Sequence, residues 1–338
     1  MASVSVGSSA CANRLAFEAA ICTYMSASGA FALTSELSAF QLALKANAIV
    51  AGDVVMLSAL CSPSSLSAVV ALGAVPAFVD VEPRFGTIDV ALVAEYLARP
   101  DREHKRPSVV IANHAYGQPC DVASLAAVCE EADVRLIEDA VDAVGTMCTG
   151  GPAGATAPCG ILGFDEEKIV SAMGGSMLVI RNKAGCRVEP EDRMSDVLAG
   201  MGRAQLSFLP ATVDARRQVA SHYGTTLAEV GGVELQADTP WGMSNRWLSI
   251  AIIDESLHRS SAADVARALA CDGIESRPVR VPAFRQTMFK DVTILGGEIA
   301  MALSRTALCL PSSSALTAGN REEVVSCIAR ALAGAGRS

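Results

Sequence analysis

Apolar positions in the first half of the chain alternate between helical spacing and short continuous runs. Leu37, Phe40, Leu44 and Ile49 share one face of a helix expected over residues 35–50, with Ser35 as its N-cap. A strand follows over 54–57, a helix over 62–72 closed by Gly73, and a strand over 76–81. The rhythm continues with helices over 89–97 and 121–132 and strands over 108–113 and 134–137. Strands that are apolar throughout, separated by helices, predict a parallel sheet covered on both faces. Ligands of such sheets lie beyond the carboxyl ends of the strands, where Asn113-His114 and Glu138-Asp139 fall.

A loop rich in Gly, Ala and Pro then leads to the apolar run 161–164 and to Lys168. A further strand is expected over 177–180, with helices over 197–208 and 213–227. The segments 247–253, 262–271 and 322–333 read as a smaller α+β unit. The division expected is a large domain over 27–207 and a small domain made of 1–26 and 208–338.

Composition narrows the class. The chain has 338 residues, 51% hydrophobic and 19% charged, which fits a globular protein of two domains. Its net charge of -9 and lack of a basic run argue against a nucleic-acid partner. The eleven cysteines form no Cys-x-x-Cys pair and the four histidines are dispersed, so no metal site is expected. No export signal or membrane-length apolar stretch is visible, and a cytoplasmic protein with reduced cysteines is expected.

An acid closing one strand and a lysine just past another suit pyridoxal phosphate chemistry. The amine forms a Schiff base with the cofactor, and the acid, one of the pair Glu138-Asp139, keeps the pyridine nitrogen protonated so that the ring accepts electrons. Such a Lys168 would need partial burial to bring its pKa towards neutrality.

Five stretches carry a wider likeness. They begin at Ser38-Ala39-Phe40-Gln41, Gly73-Ala74-Val75-Pro76, His114-Ala115-Tyr116-Gly117, Ile137-Glu138-Asp139-Ala140 and Gly273-Ile274-Glu275-Ser276-Arg277-Pro278. In this order they resemble the sugar aminotransferases of the DegT/DnrJ/EryC1/StrS family. The resemblance implies an α/β fold-type-I pyridoxal phosphate enzyme, a mainly parallel sheet with a smaller C-terminal α+β domain, and a homodimer. It implies Lys168 as the Schiff-base lysine and Asp139 as the partner of the pyridine nitrogen. A keto sugar or related biosynthetic intermediate and an amino-acid amino donor are the small molecules implied.

The departures from the family pattern gather around the cofactor phosphate. The phosphate cup reads Ser35-Glu36-Leu37, the usual stacking aromatic is Ser62, a glutamine is Asp142, a serine is Gly163, and a partner-facing asparagine is Glu191. Ser38, Ser62, Ser64 and Ser65 are hydroxyls placed to compensate. Two roles stay open at each of two further positions. Arg277 binds a substrate carboxylate or phosphate, or closes a strand-end ion pair; His114 lies near the ring face or is a satisfied core histidine. Two other readings of the whole remain: a pyridoxal phosphate enzyme of this fold with elimination, decarboxylation or carbon–carbon bond chemistry, and a catalytically silent paralogue that supports a partner subunit.

Overall fold

The computed structural model describes residues 11–99, 105–181, 192–258 and 260–334. In chain order the elements are α1 (Ala12–Met25), β1 (Gly29–Leu33), α2 (Glu36–Ala46), β2 (Val54–Ser58), α3 (Pro63–Ala71), β3 (Val75–Val79), α4 (Val90–Leu97), β4 (Val109–Asn113), α5 (Val122–Glu131) and β5 (Arg135–Ala140). The hairpin β6 (Met147–Cys148) and β7 (Gly151–Pro152), then β8 (Cys159–Gly163), β9 (Ser176–Ile180), α6 (Asp196–Leu206) and α7 (Leu209–Val230), complete the middle of the chain. The C-terminal part holds β10 (Val233–Leu235), β11 (Gly242–Met243), β12 (Ser249–Ile253), α8 (Ala262–Cys271), β13 (Arg277–Pro278), β14 (Ile294–Leu295), α9 (Glu298–Thr306), β15 (Ala307–Leu310) and α10 (Ala318–Gly334).

Eight strands form the main sheet in the order β1-β9-β8-β5-β4-β2-β3-β14. Only β9 runs against its neighbours; the other pairings are parallel. The strands β2, β4, β8 and β9 are buried along their whole length, as continuous apolar runs require when helices cover both faces. From β2 the chain moves outward to β3, then crosses back to β4 on the other side of β2. This reversal opens a crevice at the carboxyl ends of β2 and β4. Ser62, the N-cap of α3, and Asn113, the last residue of β4, stand at its rim.

A second, antiparallel sheet, β10-β12-β15-β13, packs its apolar side on α7, α8 and α10 through Tyr223, Leu269, Leu308 and Ile328. Two segments cross the boundary read from the sequence. The first is α1, which docks on α6 through Asp196, whose carboxylate accepts from Asn13 Nδ2 (3.0 Å) and the Arg14 amide (2.9 Å). Phe17 of this helix meets Phe164 at 5.0 Å between ring centres, so residues 12–25 pack with the large sheet and not with the small domain. The second is β14, whose parallel pairing with β3 makes residues 294–295 the edge of the large sheet.

Boundaries differ from expectation for local reasons. The helix expected over 35–50 stops at Ala46, because Asn47 Nδ2 turns back onto the Ala43 carbonyl (2.8 Å) and Ala48 is left-handed at φ 53°. Pro210 lies in the first turn of α7, where its missing N–H costs nothing, so that helix starts earlier and runs to Val230.

One buried carboxylate ties the C-terminal segment to the large sheet. Asp80, beyond β3, accepts from the amides of Gly297 (2.7 Å), Ala300 (2.8 Å) and Ile299 (3.0 Å), which supplies the donors at the start of α9 with partners. Replacement Asp80→Ala is expected to lower unfolding free energy by about 2–4 kcal/mol, read from urea denaturation. A loss below about 0.5 kcal/mol contradicts this anchoring role.

Candidate active site

Asp139 and Glu138 are consecutive on β5 and point to opposite sides of the sheet, so they meet different partners. Glu138 is fully buried and accepts from His114 Nε2 (3.0 Å) and from the amides of Gly154 (2.8 Å), Thr156 (2.6 Å) and Ala157 (2.5 Å). The Cys120 amide donates to His114 Nδ1 (3.0 Å), which assigns the neutral tautomer with its proton on Nε2. His114 is therefore a satisfied core histidine that anchors the Gly/Ala/Pro loop, and the ring-face role does not apply to it.

Asp139, also fully buried, accepts on Oδ2 from Ser62 Oγ (2.6 Å) and Asn113 Nδ2 (3.0 Å), and on Oδ1 from the Val141 amide (3.3 Å). Burial raises its pKa; the Ser62 hydrogen bond opposes that rise, and the charge of Asp142 adds to it. Asn113 is 1% exposed, and its Oδ1 has no partner.

Lys168 lies in the turn after β8, its amide bonded to the Asp165 carbonyl (3.1 Å) and its side chain 11% exposed. Nζ donates to Asp142 Oδ1 (2.5 Å), stands 3.9 Å from Glu36 Oε1, and sits 4.2 Å from the centre of the Trp247 ring. Burial alone would depress the Lys168 pKa, but the carboxylates of Asp142 and Glu36 outweigh it and raise the pKa. The expected shift towards neutrality is corrected accordingly: the amine rests as an ammonium because two anions face it.

Asp142 is the hub. Its buried carboxylate also accepts from Arg280 Nη2 (2.9 Å) and the Tyr116 amide (3.3 Å). Burial would raise its pKa, yet Arg280 and Lys168 hold it down at about 2. Arg280 lies 4.7 Å over the Tyr116 ring, and Tyr116 in turn stacks on Trp247 at 6.5 Å and 13°. The Nη1 of Arg280 is buried without a partner.

The remaining expected residues divide. Ser35 caps α2 by accepting from the Ser38 amide (3.1 Å), and Ser38 Oγ donates to Asp192 (3.2 Å). Ser64 Oγ donates to Glu36 Oε2 (2.6 Å), while Glu36 Oε1 is buried without a hydrogen bond. A Cβ at Gly163 would collide with that same Glu36 oxygen and with the Val141 backbone carbonyl, so a side chain is excluded there on both counts. Leu37 is 38% exposed, facing away from the cluster. Arg277 pairs with Glu167 (2.9 Å) and Glu275 (3.8 Å) at the half-exposed rim, so the strand-end ion pair describes it. The arginine inside the site is Arg280, three residues on, where the chain has turned in from β13. Glu191 lies outside the described residues, as does most of the segment before Arg193. Among the described residues no cluster of metal ligands occurs, and no helix is long and apolar enough to cross a membrane.

Comparison with known proteins identifies one family. The sequence profile described as the DegT/DnrJ/EryC1/StrS aminotransferase family matches residues 8–187 and 190–329. EpsN of Bacillus subtilis, named as a pyridoxal phosphate-dependent aminotransferase, is 29% identical over 91% of this chain and 85% of its own. A GDP-perosamine synthase of Vibrio cholerae is 27% identical over 92% of this chain and 89% of its own. The crystal structure of the aminotransferase TlmJ from Streptoalloteichus hindustanus has the same fold, with a TM-score of 0.86 at 24% identity over 96% of this chain and 92% of that one.

Burial lifts the Glu36 carboxyl from its ordinary 4.5 to about 7 against the opposing charge of Lys168. Between these values the folded chain holds a proton that the unfolded chain has lost. Stability therefore falls as pH rises from about 4.5 to about 7, and the penalty is constant above that. In ligand-free protein, Glu36→Gln is expected to raise Tm by about 2–4 °C at pH 8 and to change it little at pH 4.5. Equal effects at both pH values contradict the buried-acid assignment.

Proposed function

The chain belongs to the DegT/DnrJ/EryC1/StrS aminotransferase family, and from that footing we propose that it transfers an amino group between an amino acid and a keto sugar, with pyridoxal phosphate held by Lys168. The observation that carries the reading is a nearly buried Lys168 paired with the buried Asp142, three residues beyond the fully buried Asp139 that ends β5 beside β8. The perosamine synthase among its relatives supports the sugar substrate, and EpsN supports the cofactor.

The residues present fit the cofactor at its ring. Asn113 Oδ1 and Arg280 Nη1 are buried polar atoms without partners beside Asp139 and Lys168, as expected where a polar ligand supplies them. Asp139 would face the pyridine nitrogen, and Lys168 the aldehyde. When bound, pyridoxal phosphate supplies that aldehyde and a ring that draws electron density from the substrate carbon.

The chain's own groups account for the rest. Lys168 has to leave Asp142 and lose its proton before its amine attacks. Arg280 then remains as the counter-charge of Asp142, which would otherwise be a buried anion without a partner. Released later as a free amine, Lys168 is placed to carry a proton at the substrate carbon. Tyr116 and Trp247 wall off this space from solvent. Trp247, whose ring the Lys168 amine faces at 4.2 Å, also borders a cleft of about 230 Å³ lined by Glu167, Arg216, Arg277, Ser312 and Ser313.

A homodimer belongs to the same reading. Val197 and Met201, one turn apart on α6, are exposed together with Phe208 and Met173, an apolar surface suited to a second copy of the chain.

Purified protein given pyridoxal phosphate is expected to develop a visible absorbance band that Lys168→Ala abolishes. Added glutamate should bleach the band as the amino group moves to the cofactor. Protein that stays colourless supports the silent paralogue instead, and a band that glutamate leaves unchanged supports other chemistry on the same cofactor.

A further inference from the structure

The aldehyde and the pyridine nitrogen of pyridoxal phosphate lie on opposite ends of the ring, and the phosphate ester projects from a carbon next to the one bearing the aldehyde. With the aldehyde at Lys168 and the nitrogen at Asp139, two flanks remain for the phosphate. On one flank Asp142 already neutralises Arg280 at 2.9 Å. The other flank is the start of α2, where the first backbone amides have no intrahelical acceptor and the helix dipole favours an anion. Ser64 supplies a hydroxyl there. These are the makings of an oxyanion site, yet a carboxyl group stands in it. Glu36 Oε1 is buried, lacks a hydrogen-bond donor, fills the space next to Gly163, and approaches Lys168 at 3.9 Å.

We propose that Glu36 is the residue that sets this site's discrimination between phosphorylated and unphosphorylated pyridoxal: its carboxylate opposes the phosphate dianion, and its protonated form admits it. The proposal rests on the cofactor reading above. A like charge at contact distance in a water-poor site weakens binding by at least about tenfold, which corresponds to about 1.4 kcal/mol. The carboxylic acid has an O–H to donate to a phosphate oxygen, so the same side chain changes from repelling to binding on taking up one proton. The groups that face it fix where that happens. Burial and the charges of Asp139 and Asp165 favour the acid, whereas Lys168 and the Ser64 hydroxyl favour the anion. A phosphate dianion beside Glu36 would add a like charge to those of Asp139 and Asp165, so the acid form would gain with the cofactor bound.

The test is a titration of the full chain with pyridoxal phosphate and, separately, with pyridoxal, followed by the visible band at pH 6.0 and 8.5. Wild type, Glu36→Gln and Glu36→Ser are compared. For wild type at pH 8.5 the two aldehydes are expected to bind within about tenfold of each other, since the phosphate's contacts are offset by repulsion. Both variants should improve the preference for pyridoxal phosphate over pyridoxal at pH 8.5 by at least about tenfold, since the effect of Glu36 on the Lys168 amine is common to both aldehydes and cancels in the ratio. The ratio of the two affinities should depend on pH more steeply in wild type than in Glu36→Gln, which keeps the shape and lacks the titrating group. An unaltered preference in both variants, or an equal gain for both aldehydes, overturns the role of Glu36. Absence of any band with either aldehyde in all three proteins instead overturns the cofactor reading on which the role depends.

Discussion

A buried ammonium persists only where anions meet it, and the candidate site is organised around that demand. Lys168 sits against two carboxyl groups and the face of an indole ring. Asp142 in turn is buried only because Lys168 and Arg280 flank it, and Arg280 is held over Tyr116 by the same carboxylate. Removing one charge leaves another exposed to a low dielectric, so the members act as one network. The fold supplies the place. The reversal of strand order between β2 and β4 brings Ser62, Asn113 and Asp139 within hydrogen-bond distance, although they are far apart along the chain.

Much of this was legible from the sequence, because the signals were local. Continuous apolar strands, the cap Ser35, and the acid pair at the end of β5 all follow from neighbouring residues. What escaped depends on chain geometry that spacing does not encode. The sequence reading singles out Arg277, and only the turn after β13 sends Arg280 inward in its place. Glu138 and Asp139 are a single motif in one dimension, and the pleat of β5 assigns one to a structural histidine and the other to the site. The helix α1 was not foreseen to pack on the large sheet, since its partner Asp196 lies in a distant segment.

The departures from the family pattern gain a common meaning in three dimensions. Glu36, Gly163 and Ser64 meet at one spot: the Glu36 carboxyl takes the hydroxyl of Ser64 and lies against Gly163, where the Val141 carbonyl also leaves no room for a side chain. Ser62, where an aromatic is usual, donates to Asp139 and helps to satisfy a buried carboxylate. Asp142, where an amide is usual, calls for Arg280 as its counter-charge. These substitutions read as coupled changes on one scaffold, in which Asp139 and Lys168 are retained while the start of α2 acquires acid character.

The central claim is that one amine, and no other, reaches the cofactor aldehyde. Treating the protein with pyridoxal phosphate, reducing it with borohydride and mapping the modified peptides by mass spectrometry tests this directly. The account predicts a single stoichiometric pyridoxyl adduct on the peptide carrying Lys168. Adducts spread over several lysines with none favoured, or a dominant adduct at another position, would contradict it.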